Sequence, residues 1–343
     1  MNNSPIRQAQ GVSPAQLDLI AIGDSTIDTF IKIHDAVVEC DINHQDCKIS
    51  VPYGAKIPVD SIAYGVAGNA ANVAVACKRL GLTTAIYTNL GDDRQGETIL
   101  EAFKKEGVDT RYVKINKGRG SNLSVVLTFQ GERTIFVYHQ DWFYTLPDID
   151  TCSWVYLTSL AETFTNSNIL GEVLRFLEKY QAAKMVFAPG TYQLKADVKR
   201  FPRVLEKCTL LILNLREAKQ VLEIEQTEIV QIKDILSGLL MLGPQTAVVT
   251  DGEEGSYATD GRDSWRLGII PTQIVEKTGA GDAYASGLVA ALAHGEPLSE
   301  AMVWGSINAA SCMKEVGTQN GLLSEPEIIE KRKAMPKFSA VKF

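Results

Sequence analysis

The run Lys277-Thr278-Gly279-Ala280-Gly281-Asp282 places three small residues directly ahead of an acid. Asp282 opens an alanine-rich helical pattern, to His294, in which Tyr284, Leu288 and Leu292 recur at i, i+4 and i+8 before Gly295. Small residues let the backbone come close to a bulky anion, and the first N–H groups of a helix have no acceptor inside it. The loop therefore suits a phosphoryl group in transfer, with the Asp282 carboxylate aimed at the same place. An acid at a helix start is also an ordinary N-cap. Beside an anion it is unwelcome unless it takes a proton from an attacking hydroxyl. The loop alone does not decide between the two readings.

A second group of chemistry-bearing side chains, His34, Cys40, His44 and Cys47, falls within one short stretch. Their spacing matches no standard zinc-finger pattern, which favours a polar flap segment with incidental cysteines over a metal site. The six cysteines are scattered through 343 residues and read as reduced thiols rather than as a disulfide framework.

From Leu17 onward, short apolar runs alternate with longer helical patterns, as βαβ units around a mainly parallel sheet require. The expected strands are Leu19–Ile22, Ala85–Thr88, Trp154–Leu157, Met185–Ala188, Leu210–Leu213 and Ala247–Thr250, each nearly all apolar, as strands covered on both faces must be. Helices are expected over Ala71–Leu80, with Gly81 following, over Thr98–Glu106 before Gly107, and over Asp282–His294. Two stretches break the rhythm. Residues 31–62 and 121–139 have the β-branched or alternating character of a small separate sheet, the second turning at Gln130–Gly131. A flap over a site and a surface hairpin without a role fit that pattern equally.

A formal charge of -7 argues against a nucleic-acid partner, whose backbone is gripped by clustered Lys and Arg. It does not exclude a mononucleotide, which backbone amides and a helix terminus can hold. No apolar run of membrane-spanning length occurs, and the polar stretch Met1–Gln16 does not read as a secretion signal, so a cytoplasmic protein is expected.

Thr278-Gly279-Ala280-Gly281-Asp282 resembles the C-terminal signature of the ribokinase-like (PfkB) carbohydrate kinases. The resemblance implies that Asp282 is the catalytic base and that the amides of Gly279, Ala280 and Gly281 form the anion hole, with Thr278 on the nucleotide side. The family usually has Asp where Lys277 stands, an exchange that bears on loop geometry and on any monovalent cation such as K+. Gly23-Asp24-Ser25-Thr26-Ile27-Asp28 matches the family's opening motif and implies that Asp28 binds sugar hydroxyls. Ala67-Gly68-Asn69-Ala70-Ala71-Asn72 is similar to the first signature, which implies that Gly68 lies against the substrate and Asn72 hydrogen-bonds it; Ala67 replaces the first of two usual glycines, which stiffens a hinge. Gly91-Asp92-Asp93-Arg94-Gln95-Gly96 matches a turn read as structural.

On the nucleotide side, Asn214-Leu215-Arg216-Glu217 resembles the family's Asn-x-x-Glu motif, which implies that Glu217 holds Mg2+, largely through water. The same spacing is an ordinary capping box. Thr250-Asp251-Gly252-Glu253-Glu254-Gly255 resembles the family's Thr-x-Gly-x-x-Gly turn and implies that Thr250 and Gly252 lie near the phosphates or ribose. Asn308, in the helical stretch Ala301–Met313, resembles a position near the adenine.

The six motifs stand in family order across roughly Leu17–Glu330. They imply a three-layer α/β/α domain over 17–330 with a mainly parallel central sheet and a small β-sheet lid over 31–62 and 121–139, an N-terminal extension over 1–16 and a C-terminal tail over 331–343. The implied reaction transfers the γ-phosphoryl group of ATP, with Mg2+, to a hydroxyl of a small sugar. The alternatives are a nucleoside kinase and a non-catalytic sugar or nucleotide sensor with the same fold. Lys56, Arg119 or Arg133 could serve a phosphorylated sugar, and Tyr53, Phe136 or Tyr138 a nucleoside base. His139 and His294 are expected in structural or surface roles, and an unpaired lid edge offers a route to a homodimer.

Overall fold

Apolar runs too short for helices become strands whose two faces both lie against helices, and the computed structural model, which describes residues 16–40, 47–130 and 132–343, shows how they stack. Residues 1–15 of the expected N-terminal extension, His44 and Gly131 lie outside the described residues. The chain opens with β1 (Leu17–Ile22), β2 (Thr26–Lys32), β3 (Val37–Cys40), β4 (Cys47–Ser50), β5 (Ser61–Ala67) and α1 (Asn69–Arg79). It continues through β6 (Thr84–Tyr87), β7 (Asn89–Gly91), α2 (Arg94–Glu106), β8 (Lys114–Asn116), β9 (Leu123–Phe129), β10 (Glu132–Tyr138) and β11 (Cys152–Leu157). Next come α3 (Ile169–Lys179), β12 (Lys184–Phe187), α4 (Thr191–Lys195), α5 (Pro202–Lys207), β13 (Leu210–Asn214), α6 (Leu215–Val221) and α7 (Ile232–Met241). The last elements are β14 (Thr246–Thr250), β15 (Ser256–Thr259), β16 (Ser264–Leu267), α8 (Ala280–Ala293), α9 (Leu298–Cys312), α10 (Glu325–Ala334) and β17 (Val341–Lys342).

Among the described residues the main sheet runs β17-β16-β15-β14-β13-β12-β11-β1-β6. Its members from β14 to β6 are parallel, and β15, β16 and β17 add antiparallel strands at one side. Alternate side chains serve opposite cores, as the pleat requires. Leu19 and Ala21 of β1 join α1, α8 and α9 on one face, while Ile20 and Ile22 join α3, α5 and α7 on the other. The result is the ribokinase-like three-layer α/β/α architecture, and all six expected strands are present.

A second sheet, ordered β10-β9-β2-β5, stands apart from the first. It begins five residues earlier than the sequence pattern suggested, so Asp28 lies on its central strand β2, in register with Gly65 on one side and Ser124 on the other. Between β2 and β5 the chain forms a separate hairpin, β3–β4, rather than more of this sheet. The hairpin register sets Cys40 opposite Cys47, and the two form a disulfide, which corrects the expectation of six reduced thiols. Cys77, Cys152, Cys208 and Cys312 are free and buried. The disulfide withdraws two of the four possible zinc ligands, and His34 pairs with Asp60. Among the described residues no group of three or more metal-binding side chains occurs.

The Gly91–Gly96 turn is structural, as expected: the Asp93 carboxylate caps α2 through Gly96 N (2.9 Å) and ties in Ser121 N (2.8 Å). Because β1, β11, β13 and β14 run parallel, their C-terminal ends share one edge of the sheet, where an open α/β sheet binds its ligands.

Candidate active site

The loop ahead of α8 is shaped by a glycine and a buried acid. Gly279 adopts φ +85°, and a Cβ there would sit 2.8 Å from Thr318 Cβ, so the position admits only glycine. Gly281, by contrast, faces open space. Ala280 N makes a loose turn bond to Lys277 O (3.3 Å), while among the described residues the amides of Gly281 and Asp282 have no backbone acceptor. Two N–H groups left without a backbone acceptor at a helix start are the kind of group that can receive an anion. The acid bracing the loop is Glu276, whose Oε1 accepts from Thr278 N (3.0 Å) and Thr278 Oγ1 (2.7 Å), and whose Oε2 accepts from Thr128 Oγ1 of β9 (3.1 Å). Lys277 turns outward and pairs with Glu132 of β10 at 2.5 Å. Its charge therefore lies off those amides, and a neighbour supplies the carboxylate that shapes the loop.

Asp282, half-buried in the first turn of α8, is held at both oxygens. Asn69 Nδ2 donates to Oδ1 (2.8 Å) and Asn72 Nδ2 to Oδ2 (2.7 Å). Asn72 is braced in turn, its Oδ1 accepting from Thr318 Oγ1 (2.8 Å) and Gln319 Nε2 (3.2 Å). The α1 N-terminus thus meets the α8 N-terminus through two amides from one signature. Desolvation pushes the Asp282 carboxyl above its ordinary range, against the two amide hydrogen bonds. A carboxylate so placed is a better proton acceptor than one in water.

Asp282 shares a cavity of about 290 Å³ with Asp28, Gly68, Asn72, Thr278 and Gly279, so all three residues assigned to acceptor binding meet the loop in one place. Burial drives the Asp28 carboxyl from 3.8 to about 6; a hydrogen bond from Ser124 opposes the shift and the Asp282 charge adds to it. Gly68, at φ +98°, lies so close to the β1–β2 corner that a Cβ would be 2.6 Å from Asp24 O. That corner buries Asp24, whose carboxylate accepts from Tyr144 Oη and Ala161 N, each at 2.8 Å.

Of the residues expected on the nucleotide side, Thr278 lines this cavity, whereas Asn214, Thr250, Gly252 and Asn308 lie outside it. Asn214 and Thr250 end neighbouring parallel strands in register. Asn214 Oδ1 accepts from Glu217 N (2.8 Å) and Glu217 Oε2 from Asn214 N (2.9 Å), a complete capping box. Burial raises the Glu217 carboxyl, the capping bonds oppose this, and the charge of Asp282 raises it further. The two acids therefore sense each other across the site. Gly252, at φ +49°, begins the turn that leaves β14 after Thr250. Asn308 is placed differently from its expected position: it is fully buried, donating to Ala283 O (2.9 Å) and accepting from Leu323 N (3.1 Å), so its amide ties α8 to the segment before α10 and offers nothing to a base.

Three further expectations change. Ile135 and Val137 face the cavity, so strand alternation turns Phe136 and Tyr138 away, and Tyr53 is fully exposed; none of the three walls the cleft. Lys56, Arg119 and Arg133 do not line it either. His139 does line it, two residues beyond Val137 on the same face, whereas His294 is structural, bonded to Leu80 O at 2.8 Å. Sequence reasoning passed over Asn69, Glu276 and Asp24 as well. Asn69 and Asp24 lie inside matched motifs and Glu276 adjoins one, so a polar side chain in or beside such a motif was the available signal.

The fold and the family both mark an α/β phosphotransferase, in which Asp282 and the start of α8 open onto one cavity. Residues 30–325 match the model of the pfkB family carbohydrate kinases, and the chain belongs to that family. It is 25% identical over 249 residues to an uncharacterized sugar kinase of Archaeoglobus fulgidus, covering 71% of this chain and 96% of the relative. To a fructokinase of Klebsiella pneumoniae it is 30% identical over 246 residues, or 67% of this chain and 78% of the relative. The structure of an Arabidopsis thaliana ribokinase complexed with ribose and ATP superposes with a TM-score of 0.74 at 19% identity, over 92% of this chain and 98% of that one.

Proposed function

We propose that this protein transfers the γ-phosphoryl group of ATP to a hydroxyl of a neutral free sugar of the ribose or fructose type, with Asp282 as general base. The observation that carries the reading is Asp282 itself. A carboxylate held by two amides and raised toward protonation stands beside unpaired helix-start N–H groups and faces an acceptor-sized cavity. An acceptor hydroxyl would give its proton to Asp282 as its oxygen attacks the γ-phosphorus. The amides of Gly281 and Asp282 would take up charge on the transferring group, in place of Ala280, whose N–H is turned to Lys277 O. Positioning and electrostatics supply most of the rate in such a transfer.

The cavity lining points to the acceptor class. Among the described residues it contains no Lys or Arg to meet a carboxylate or phosphate, and no Phe, Tyr or Trp to stack on a base. It offers carboxylates, amides and hydroxyls, which suit a polyol. On the donor side, Thr250, Gly252 and Thr278 are the residues toward ATP. Glu217 would hold Mg2+, consistent with a carboxylate raised partly by the Asp282 charge, and the ion would neutralise phosphate charge. For K+ the loop has no free acid, because both Glu276 oxygens are engaged, and no step requires that ion.

The sheet β10-β9-β2-β5 acts as a lid that excludes water, joined to the loop ahead of α8 by the Thr128–Glu276 and Glu132–Lys277 pairs. Its outer face exposes Ile62, Tyr64, Phe136 and Tyr138, the surface through which two copies would pair. Among the described residues no helix is long and apolar enough to cross a membrane. The test is ADP release with ATP and a panel of neutral sugars, sugar acids, sugar phosphates and nucleosides. Turnover with a neutral sugar alone is expected; turnover confined to nucleosides would reverse the acceptor assignment, and sugar binding without turnover would make the protein a sensor.

A further inference from the structure

Two polar atoms in the acceptor cavity are buried without a hydrogen-bond partner, Ser25 Oγ and His139 Nδ1, and both belong to residues that line it. Buried polar atoms are seldom left unpaired, so each of these calls for a partner that the present arrangement does not supply among the described residues. His139 follows the last residue of β10 and is carried by the small sheet. Its Nδ1 lies 3.7 Å from Asp24 Oδ2, beyond hydrogen-bond range, and its ring packs edge-on to Tyr192 with centroids 5.5 Å apart. Asp24 is buried and already accepts from Tyr144 and Ala161, but a carboxylate has room for a further donor. A closing movement of about 1 Å would bring His139 Nδ1–H into that place.

With one ring nitrogen committed to Asp24, the other is fixed in orientation and protonation and is the one left to meet a ligand. Asp282 is engaged by Asn69 and Asn72 and not by His139, which leaves His139 for a hydroxyl other than the one Asp282 would deprotonate. We infer that His139, set by Asp24 when the small sheet closes, is a specificity-determining contact that reads a ring hydroxyl of the sugar remote from the transfer point. Asp24 is a positioning residue in this arrangement. The inference rests on the proposed sugar-kinase reading and deepens it.

The test uses the full chain, the neutral sugar with the highest turnover, and its singly deoxygenated analogues. His139→Ala should raise the sugar KM about tenfold or more while kcat changes by less than about threefold and the ATP KM holds. It should also abolish discrimination against one deoxy analogue while leaving the others as they were. His139→Gln, which keeps a donor, should recover part of the loss, and Asp24→Asn should raise the sugar KM without adding to the effect of His139→Ala. Thermal melting checks that each variant folds; should the alanine variant not fold, the glutamine variant and its deoxy-sugar profile decide. An unchanged sugar KM and deoxy profile in folded His139 variants overturns the inference and leaves the kinase reading standing. A wild-type protein that phosphorylates no neutral sugar overturns both.

Discussion

The two halves of the cleft are built on different principles. On the acceptor side, Asp28, Asp282 and Asp24 are brought together by three separate elements, at positions where burial raises the first two and nothing in local structure calls for an acid. On the nucleotide side, Asn214, Glu217, Thr250 and Gly252 are a capping box and a turn, with hydrogen bonds that any helix start or strand exit could make. In the first half Asp28 and Asp282 are carboxyls that burial disfavours as ions, a cost that the proposed reaction would account for. The second is ordinary local structure placed at the right edge of a sheet. Substitutions on the proposed acceptor side should therefore cost activity out of proportion to stability, and loss of the capping side chain Asn214 should do the reverse.

The largest effect is expected at Asp282. Asp282→Asn keeps the shape and one hydrogen-bond acceptor but cannot take a proton, so kcat should fall by about 10²-fold or more with ATP binding nearly intact. Rates by coupled assay and ATP affinity by calorimetry check both parts. Near-normal turnover would return Asp282 to the status of a helix cap and erase the contrast.

Asp28 comes next, and it tests the contrast in both directions. Its carboxyl titrates at about 6 when folded against 3.8 in the open chain, so the folded state holds a proton between those values that the unfolded state has lost. Above about pH 6 the folded protein must carry the ion where burial disfavours it, at a cost on the order of 3 kcal/mol. Asp28→Asn should therefore melt higher than wild type at pH 7.5, with the gain shrinking below pH 6 and vanishing below pH 4. The same change should raise the sugar KM by about tenfold or more, because an amide accepts fewer hydroxyl donors. In wild type kcat/KM should fall on the acid side of about pH 6, and in the variant the fall should be shallower, leaving only the limb that belongs to Asp282. A variant that is both less stable and fully active would break the comparison.

The difference between the halves also explains what was legible in the sequence. The core strands β1, β6, β11, β12, β13 and β14 were readable because burial on both faces writes an unbroken apolar run. Gly68 and Gly279 were readable because only glycine tolerates their φ and their close neighbours. The small sheet showed its alternation but not its start, since Thr26–Asp28 read as the end of the Gly23–Asp28 motif rather than as the beginning of a strand. The Cys40–Cys47 pair depends on hairpin register, which cysteine spacing does not reveal. Asn308 failed for a related reason: an Asn inside a helix reads the same whether it faces a ligand or, as here, bridges α8 to the segment before α10. His139 and Glu276 acquire meaning only through contacts with Asp24 and Thr128, more than a hundred residues away in each case.

The smallest effects are expected at the capping box, where two substitutions separate structure from function. Asn214→Ala removes the acceptor for Glu217 N and should cost about 1 kcal/mol, a shift of a few degrees or less in a chain of this size. Glu217→Gln keeps a side-chain oxygen able to accept from Asn214 N but removes the charge. Because the Glu217 carboxyl is already raised by burial and by Asp282, losing its charge should leave the melting temperature unchanged or slightly higher. If the carboxylate also serves a magnesium ion, the same variant should need several-fold more Mg2+ for half-maximal rate, with the sugar KM unmoved. The pair then divides cleanly: one substitution lowers stability with little effect on metal dependence, the other changes metal dependence with little effect on stability. Identical Mg2+ titrations for Glu217→Gln and wild type would reduce the Asn-x-x-Glu segment to the helix cap that its hydrogen bonds already describe, and the donor half of the cleft would then rest on backbone groups alone.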